Sequence, residues 1–99
     1  MPNYSLTDAA RADLKGILDY TVQTWGRKRA VSYLDGLDKL ASSLAESRRL
    51  GRSCDDLREG LLAFPYESHV LYYVETRGGI AVIRVLHKSM NSALHFNDT

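Results

Sequence analysis

The stretch HVLYYVETRGGIAVIRVLH, His69 to His87, decides the fold. Two runs rich in β-branched and aromatic residues flank a Gly-Gly pair, the pattern of an antiparallel β-hairpin. A two-residue turn at Gly78-Gly79 pairs Arg77 with Ile80, and counting back sets Tyr73 opposite Arg84 and Tyr72 opposite Val85. One face then carries Val70, Tyr72, Val74, Ala81, Ile83 and Val85 and is expected to take a layer of helices. The other carries His69, Leu71, Tyr73, Glu75, Val82, Arg84 and Leu86, too apolar for a solvated face, and reads as a surface for a partner. Upstream, LLAF (Leu61–Phe64) adds a third strand, separated from the hairpin by Pro65-Tyr66-Glu67-Ser68.

The N-terminal half has a different period. After a short extended segment at Tyr4–Leu6, Thr7 and Asp8 offer an N-cap and a first-turn negative charge. Ala10, Leu14, Ile17, Leu18, Thr21 and Trp25 then follow at helical spacing. Gly26 interrupts the series, and Ala30, Tyr33, Leu34, Leu37, Leu40, Ala41, Leu44 and Ala45 resume it, so two helices joined at a glycine corner form a hairpin. Trp25 is expected to fill that corner. Ser47–Gly60 mixes both charges with two glycines and reads as an exposed connection. The expectation is one α+β domain over residues 1–99: an N-terminal strand and a helical hairpin packed on a small antiparallel sheet, in the order β-α-α-β-β-β, with a short C-terminal helix or tail from about Ser89 to Phe96.

With 99 residues and 44% hydrophobic content the chain suffices for one core. Thirteen Lys and Arg against 12 Asp and Glu leave a net charge of +1, too little to draw the chain onto nucleic acid or a membrane surface. Cys54 is the single cysteine, which excludes an intramolecular disulfide and points to a reducing, cytoplasmic setting. There is no signal-peptide pattern and no apolar run of spanning length.

No catalytic motif is present: no GxGxxG, phosphate-binding loop, GxSxG elbow or HExxH, hence no cofactor, metal site or catalytic residue is expected. His69 and His87 fall on opposite faces in the register above, which separates them as an acid-base pair. Arg84 opposite Tyr73 reads as a structural cross-strand stack. Arg48, Arg49, Arg52 and Arg58 are interleaved with Asp55, Asp56 and Glu59, which cancel their field. The residues alone favour binding over catalysis.

Taken in order, YSLTDAARADLKGILDYTVQTWG, LGRSCDDLREGL, SHVLYYVE and RVLHKSM resemble a ParE toxin of the RelE/ParE toxin-antitoxin superfamily, over Tyr4 to Phe96. The resemblance implies a cytoplasmic toxin neutralised by a ParD-type antitoxin and poisoning DNA gyrase without an enzymatic reaction. Surface logic nominates Trp25, Tyr33, Leu37, Leu71 and Tyr73 as antitoxin contacts. If inhibition resides at the C-terminal end, Arg84, His87, Lys88 and Met90 are the target contacts. The RelE-like branch, ribosome-dependent mRNA interferases, is the alternative. It tends to carry arginine and a terminal tyrosine where this chain reads HKSMNSALHF. Asn91 stands where ParE chains commonly have aspartate. An inactive homologue acting only as corepressor is the third possibility.

Overall fold

The computed structural model describes residues 3–96, so the ends of the expected 1–99 domain lie outside it. The elements are β1 (Asn3–Leu6), α1 (Asp8–Trp25), α2 (Arg27–Glu46), β2 (Arg52–Ser53), β3 (Leu62–Tyr66), β4 (His69–Thr76), β5 (Gly79–His87) and α3 (Ala93–Phe96). They form the expected α+β arrangement, a helical hairpin on a sheet of order β1-β5-β4-β3-β2. β1 runs parallel to β5, and the remaining pairs are antiparallel.

Local chemistry accounts for the helix boundaries. Thr7 is extended and its hydroxyl accepts from the Ala10 N–H at 3.1 Å, capping α1. Gly26, at φ 95°, closes α1 by donating to Thr21 and Val22 carbonyls and opens α2 in the same residue. Only glycine takes that conformation without strain. Leu14, Leu37, Leu44 and Ala45 bury the inner sides of the hairpin against the sheet.

The sheet departs from the expected register in two places. The turn is centred on Arg77-Gly78, with Thr76 paired to Gly79, and Gly79 is already in the strand. A side chain on Gly79 would overlap the Asn3 carbonyl oxygen, so the second glycine serves the approach of β1 rather than the turn. That correction moves the register by two residues and leaves the faces unchanged. The second departure is a β-bulge: Tyr73 pairs with Val82 but Tyr72 with Arg84, leaving Ile83 as an extra residue. One extra residue turns over everything beyond it, so His87 stands directly opposite His69 rather than on the other face.

The two faces are also the reverse of those expected. The helices cover Leu71, Tyr73, Ile80, Val82 and Val85, whereas Tyr72 and Leu86, with Val70, Val74 and Ile83, line the far side. The far side is no open surface. Cys54, Leu57 and Leu61 from the β2–β3 connection cover it, and Phe96 of α3 packs on Tyr72 with ring centroids 5.0 Å apart. The segment read as an exposed connection therefore contributes a short strand and a lid. Its arginines are structural in part: Arg48 donates to the Thr76 carbonyl at 2.8 Å and Arg49 pairs with Glu75 at 3.4 Å.

β1 stops at Leu6, so β5 has no strand neighbour beyond Val82 on that side. α1 supplies the missing partners. The Thr7 hydroxyl donates to the Ile83 carbonyl at 2.8 Å, and Asp13 accepts from the Val85 N–H at 3.0 Å. The same carboxylate takes both ends of the Arg84 fork, at 2.8 and 2.9 Å, in a mostly buried pair. Arg84 thus neighbours Asp13 rather than stacking on Tyr73, and its guanidinium is held still more firmly protonated by that bond.

Asp13→Ala is expected to cost about 2–3 kcal/mol in urea unfolding, because it strands both a partly buried guanidinium and a backbone N–H. Arg84→Met, which leaves the Val85 bond intact, is expected to cost less. Gly79→Ala should cost more than Gly78→Ala, whose added methyl meets open space.

Candidate functional site

A groove of about 810 Å³ opens between the middle of α1, the start of α2 and the far end of β4 and β5. Its floor follows from the bulge. His69 and His87 meet edge to face, centroids 5.5 Å apart, and Tyr33 of α2 meets His69 in the same way at 5.7 Å. The Tyr33 hydroxyl lies 3.3 Å from His69 Nδ1. Tyr66 stacks at an angle on Tyr33 and donates its hydroxyl to the Tyr33 carbonyl at 2.8 Å. This row of rings is rigid because Tyr66 in turn sits over Gly36, where a side chain would overlap its hydroxyl.

Electrostatics in the groove favour neutral imidazole. Burial, and then the proximity of His87, lower the pKa of His69 below its ordinary 6.5. Burial raises that of Tyr33, aided by Tyr66 and Glu67. Arg84 on the wall is neutralised by Asp13. Among the described residues no three His, Cys, Asp or Glu side chains are grouped to hold a metal.

The rim is apolar and open. Trp25 is 63% exposed, Tyr20 65% and Met90 50%. Trp25 is therefore not the buried corner residue expected from its spacing; Gly26 makes the corner alone, and the indole lies over the Arg29 guanidinium at 5.4 Å. Three large exposed apolar side chains around one concavity are the mark of a docking site.

The residues nominated from sequence divide clearly. Trp25 and Tyr33, proposed for one partner, and Arg84, His87 and Met90, proposed for another, line this same groove. Lys88 is exposed beside it. Leu37, Leu71 and Tyr73 are at most 5% exposed and belong to the core. Their nomination is corrected: the face that carries Leu71 and Tyr73 is the one under the helices. Tyr73 spans the core so that its hydroxyl donates to the Arg48 carbonyl and accepts from the Gly51 N–H. Sequence reasoning missed Tyr20, Arg29, His69 and His95 as groove residues. The structure shows the cause in Val82 and Val85, three residues apart yet both buried in the helix-facing core, a spacing that strict alternation does not allow.

His69 is bound less readily by a proton in the folded chain than in the unfolded one. Its contribution to stability is present above pH 6.5 and is lost as pH falls toward the depressed folded value. The urea midpoint is expected to fall between about pH 7 and about pH 5, with a shallower fall in His69→Gln.

The family model described as ParE toxin of type II toxin-antitoxin system, parDE, matches residues 4–92. Toxin ParE1 of Mycobacterium tuberculosis (strain H37Rv) is 40% identical over 89 residues, covering 89% of this chain and 91% of that protein. Toxin ParE1 of Caulobacter vibrioides is 38% identical over 97 residues, covering 96% and 98%. A solved structure titled as the chromosomal ParDE TA system from P. aeruginosa shares the fold, with a TM-score of 0.72, 20% identity and coverage of 88% of this chain and 96% of that one. No helix among the described residues is long and apolar enough to cross a membrane.

Proposed function

The chain belongs to the ParE toxin family of type II toxin-antitoxin systems, and from that premise we propose that a ParD-type antitoxin neutralises it by filling the groove and that its target is DNA gyrase, bound rather than chemically altered. The observation that carries this reading is the rim itself: Tyr20, Trp25 and Met90 exposed around a concavity with a rigid aromatic floor. An antitoxin helix or extended segment would anchor on Trp25 and Tyr33, the residue types that dominate binding energy when a partner desolvates them. His87, Lys88 and Met90, at the end of β5 and on the turn after it, are the proposed target contacts. Arg84, with its guanidinium engaged by Asp13, would hold that wall in place rather than reach for the target.

The two sets share one groove, which gives neutralisation a simple physical form. An antitoxin seated on Trp25 and Tyr33 also covers His87 and Met90. Exclusion of the target then needs no change of shape in the toxin. That the P. aeruginosa neighbour is a ParDE assembly supports an antitoxin as partner.

One observation favours a second reading. The bulge brings His69 and His87 into ring contact beside Tyr33, so a RelE-like cleavage of mRNA has imidazoles in the right groove. Against it, each Nδ1 is engaged locally, by Tyr33 and by Ser89.

The purified chain, incubated with gyrase, supercoiled DNA and ATP, is expected to trap cleaved DNA while leaving mRNA on translating ribosomes intact. Cut mRNA with untouched gyrase would move the chain to the second reading. Lys88→Ala combined with Met90→Ala should abolish the DNA cleavage, and Trp25→Ala should weaken antitoxin binding by about 2 kcal/mol, roughly 30-fold.

A further inference from the structure

α2 begins with three consecutive cations. Arg27, Lys28 and Arg29 fill its first turn with no carboxylate among them, and Gly26 supplies no side-chain cap. Cations at that end of a helix oppose its dipole, so their placement costs stability rather than supplying it. Among the described residues the ion pairs are Arg11–Asp8, Lys15–Asp19, Arg49–Glu75 and Arg84–Asp13, which leaves these three cations and Lys39 without a carboxylate partner. Four unpaired cations on one helix are a local excess in a chain whose net charge is +1.

The four stand on adjoining sides of α2. Arg29 faces the aromatic groove, where it lies against Trp25 at 5.4 Å. Arg27, Lys28 and Lys39 surround a second depression of about 820 Å³ on the outer side of the helix, and Asp35 is the single carboxylate in it. Val31, 53% exposed, adds apolar surface to its lining. By helical position Ser32 and Gly36 lie between Arg29 and Tyr33 on the groove side and Lys28 and Lys39 on the outer side, so no bulky side chain separates the two concavities. A side chain at Gly36 would overlap the Tyr66 hydroxyl, which keeps this saddle low.

We propose that the outer side of α2 is the second half of the antitoxin interface and takes an acidic stretch of the antitoxin chain, which reaches it from the groove over Ser32 and Gly36. The inference rests on the antitoxin reading above and adds the chemistry of the segment that binds. Three cations against one carboxylate select an acidic ligand. A phosphate backbone fits less well. It has no use for exposed Val31 and would be repelled by Asp35, whereas a peptide carries apolar and basic side chains for both. Exposed charges of this kind chiefly steer the encounter, so their effect falls on association rate and on its salt dependence.

The test measures association of the full chain with the ParD-type antitoxin that neutralises it, at about 50 mM and about 500 mM salt. Lys28→Glu combined with Lys39→Glu should slow association about tenfold at low salt and much less at high salt. Asp35→Asn should speed it about threefold, a gain that damage to the fold does not mimic. Lys28→Glu suits the start of a helix, so the urea midpoint of the double variant should not fall. Should it fall, Asp35→Asn and a chemical footprint decide. In the complex Lys28 and Lys39 should be protected from an amine-acetylating reagent while Lys15, on α1 beside its partner Asp19, stays reactive. Rates indifferent to the charge changes, or Lys28 and Lys39 as reactive in the complex as in the free chain, overturn the inference; the groove reading then stands if Trp25→Ala still weakens binding. Binding of a DNA duplex that the double variant abolishes, with antitoxin rates unchanged, assigns the surface to nucleic acid and also overturns it. An original chain that binds no antitoxin overturns the function proposed above, and this inference with it.

Discussion

The attachment of α1 to the second half of β5 is the constraint on which the rest of the molecule depends. β1 is too short to pair with β5 beyond Val82, and a bulge at Ile83 would ordinarily leave such an edge frayed. Thr7 and Asp13 satisfy that edge from a helix, with one hydroxyl and one carboxylate. Thr7 does so while capping α1, so the start of the helix and the position of the strand are fixed by a single side chain. Because the bulge is held, His87 turns toward His69, and because Asp13 holds Arg84, the groove wall carries a neutralised cation instead of a free one. A buried ion pair of this kind adds little net stability over an apolar substitute. Its value lies in fixing one register.

The groove joins parts of the chain that the sequence keeps far apart. α1 contributes Tyr20 and Trp25, α2 contributes Tyr33, and the ends of β4 and β5 contribute the two histidines. The aromatic row from Tyr66 to His87 crosses from sheet to helix and back, so the hairpin and the sheet cannot shift against each other without breaking it. A partner seated there would meet a floor that is already arranged, which would lower the ordering cost of association.

Much of this was legible in the sequence. Helical spacing from Ala10 to Ala45, the Thr7 cap and the Gly26 corner gave both helices, and β-branched runs gave the strands of the hairpin and β3. What sequence could not supply was which sheet face the helices take. That rule needs one polar face, and here a loop carrying Cys54, Leu57 and Leu61 covers the far side, so both faces are apolar. The bulge was equally hidden, since nothing in IAVIRVLH distinguishes an extra residue from a regular one. These two gaps produced the particular errors at the site: Leu71 and Tyr73 taken for surface, and His69 separated from His87. Trp25 failed for another reason, because helical spacing identifies a side of a helix but not whether another element lies against it.

The parallel pairing of β1 with β5 has a consequence for how the chain acquires its structure. Asn3–Leu6 leave the ribosome well before their partners Gly79–Val82. Closing a loop of that length is an entropic cost that can be met only once β5 is available, and such non-local contacts slow folding. The crowding of Gly79 against Asn3 makes the final step a tight insertion rather than a loose association. During synthesis the helical hairpin can form, but β1 has no strand to join and the edge that α1 will satisfy does not yet exist. A nascent chain of this topology cannot own its groove until β5 has been translated.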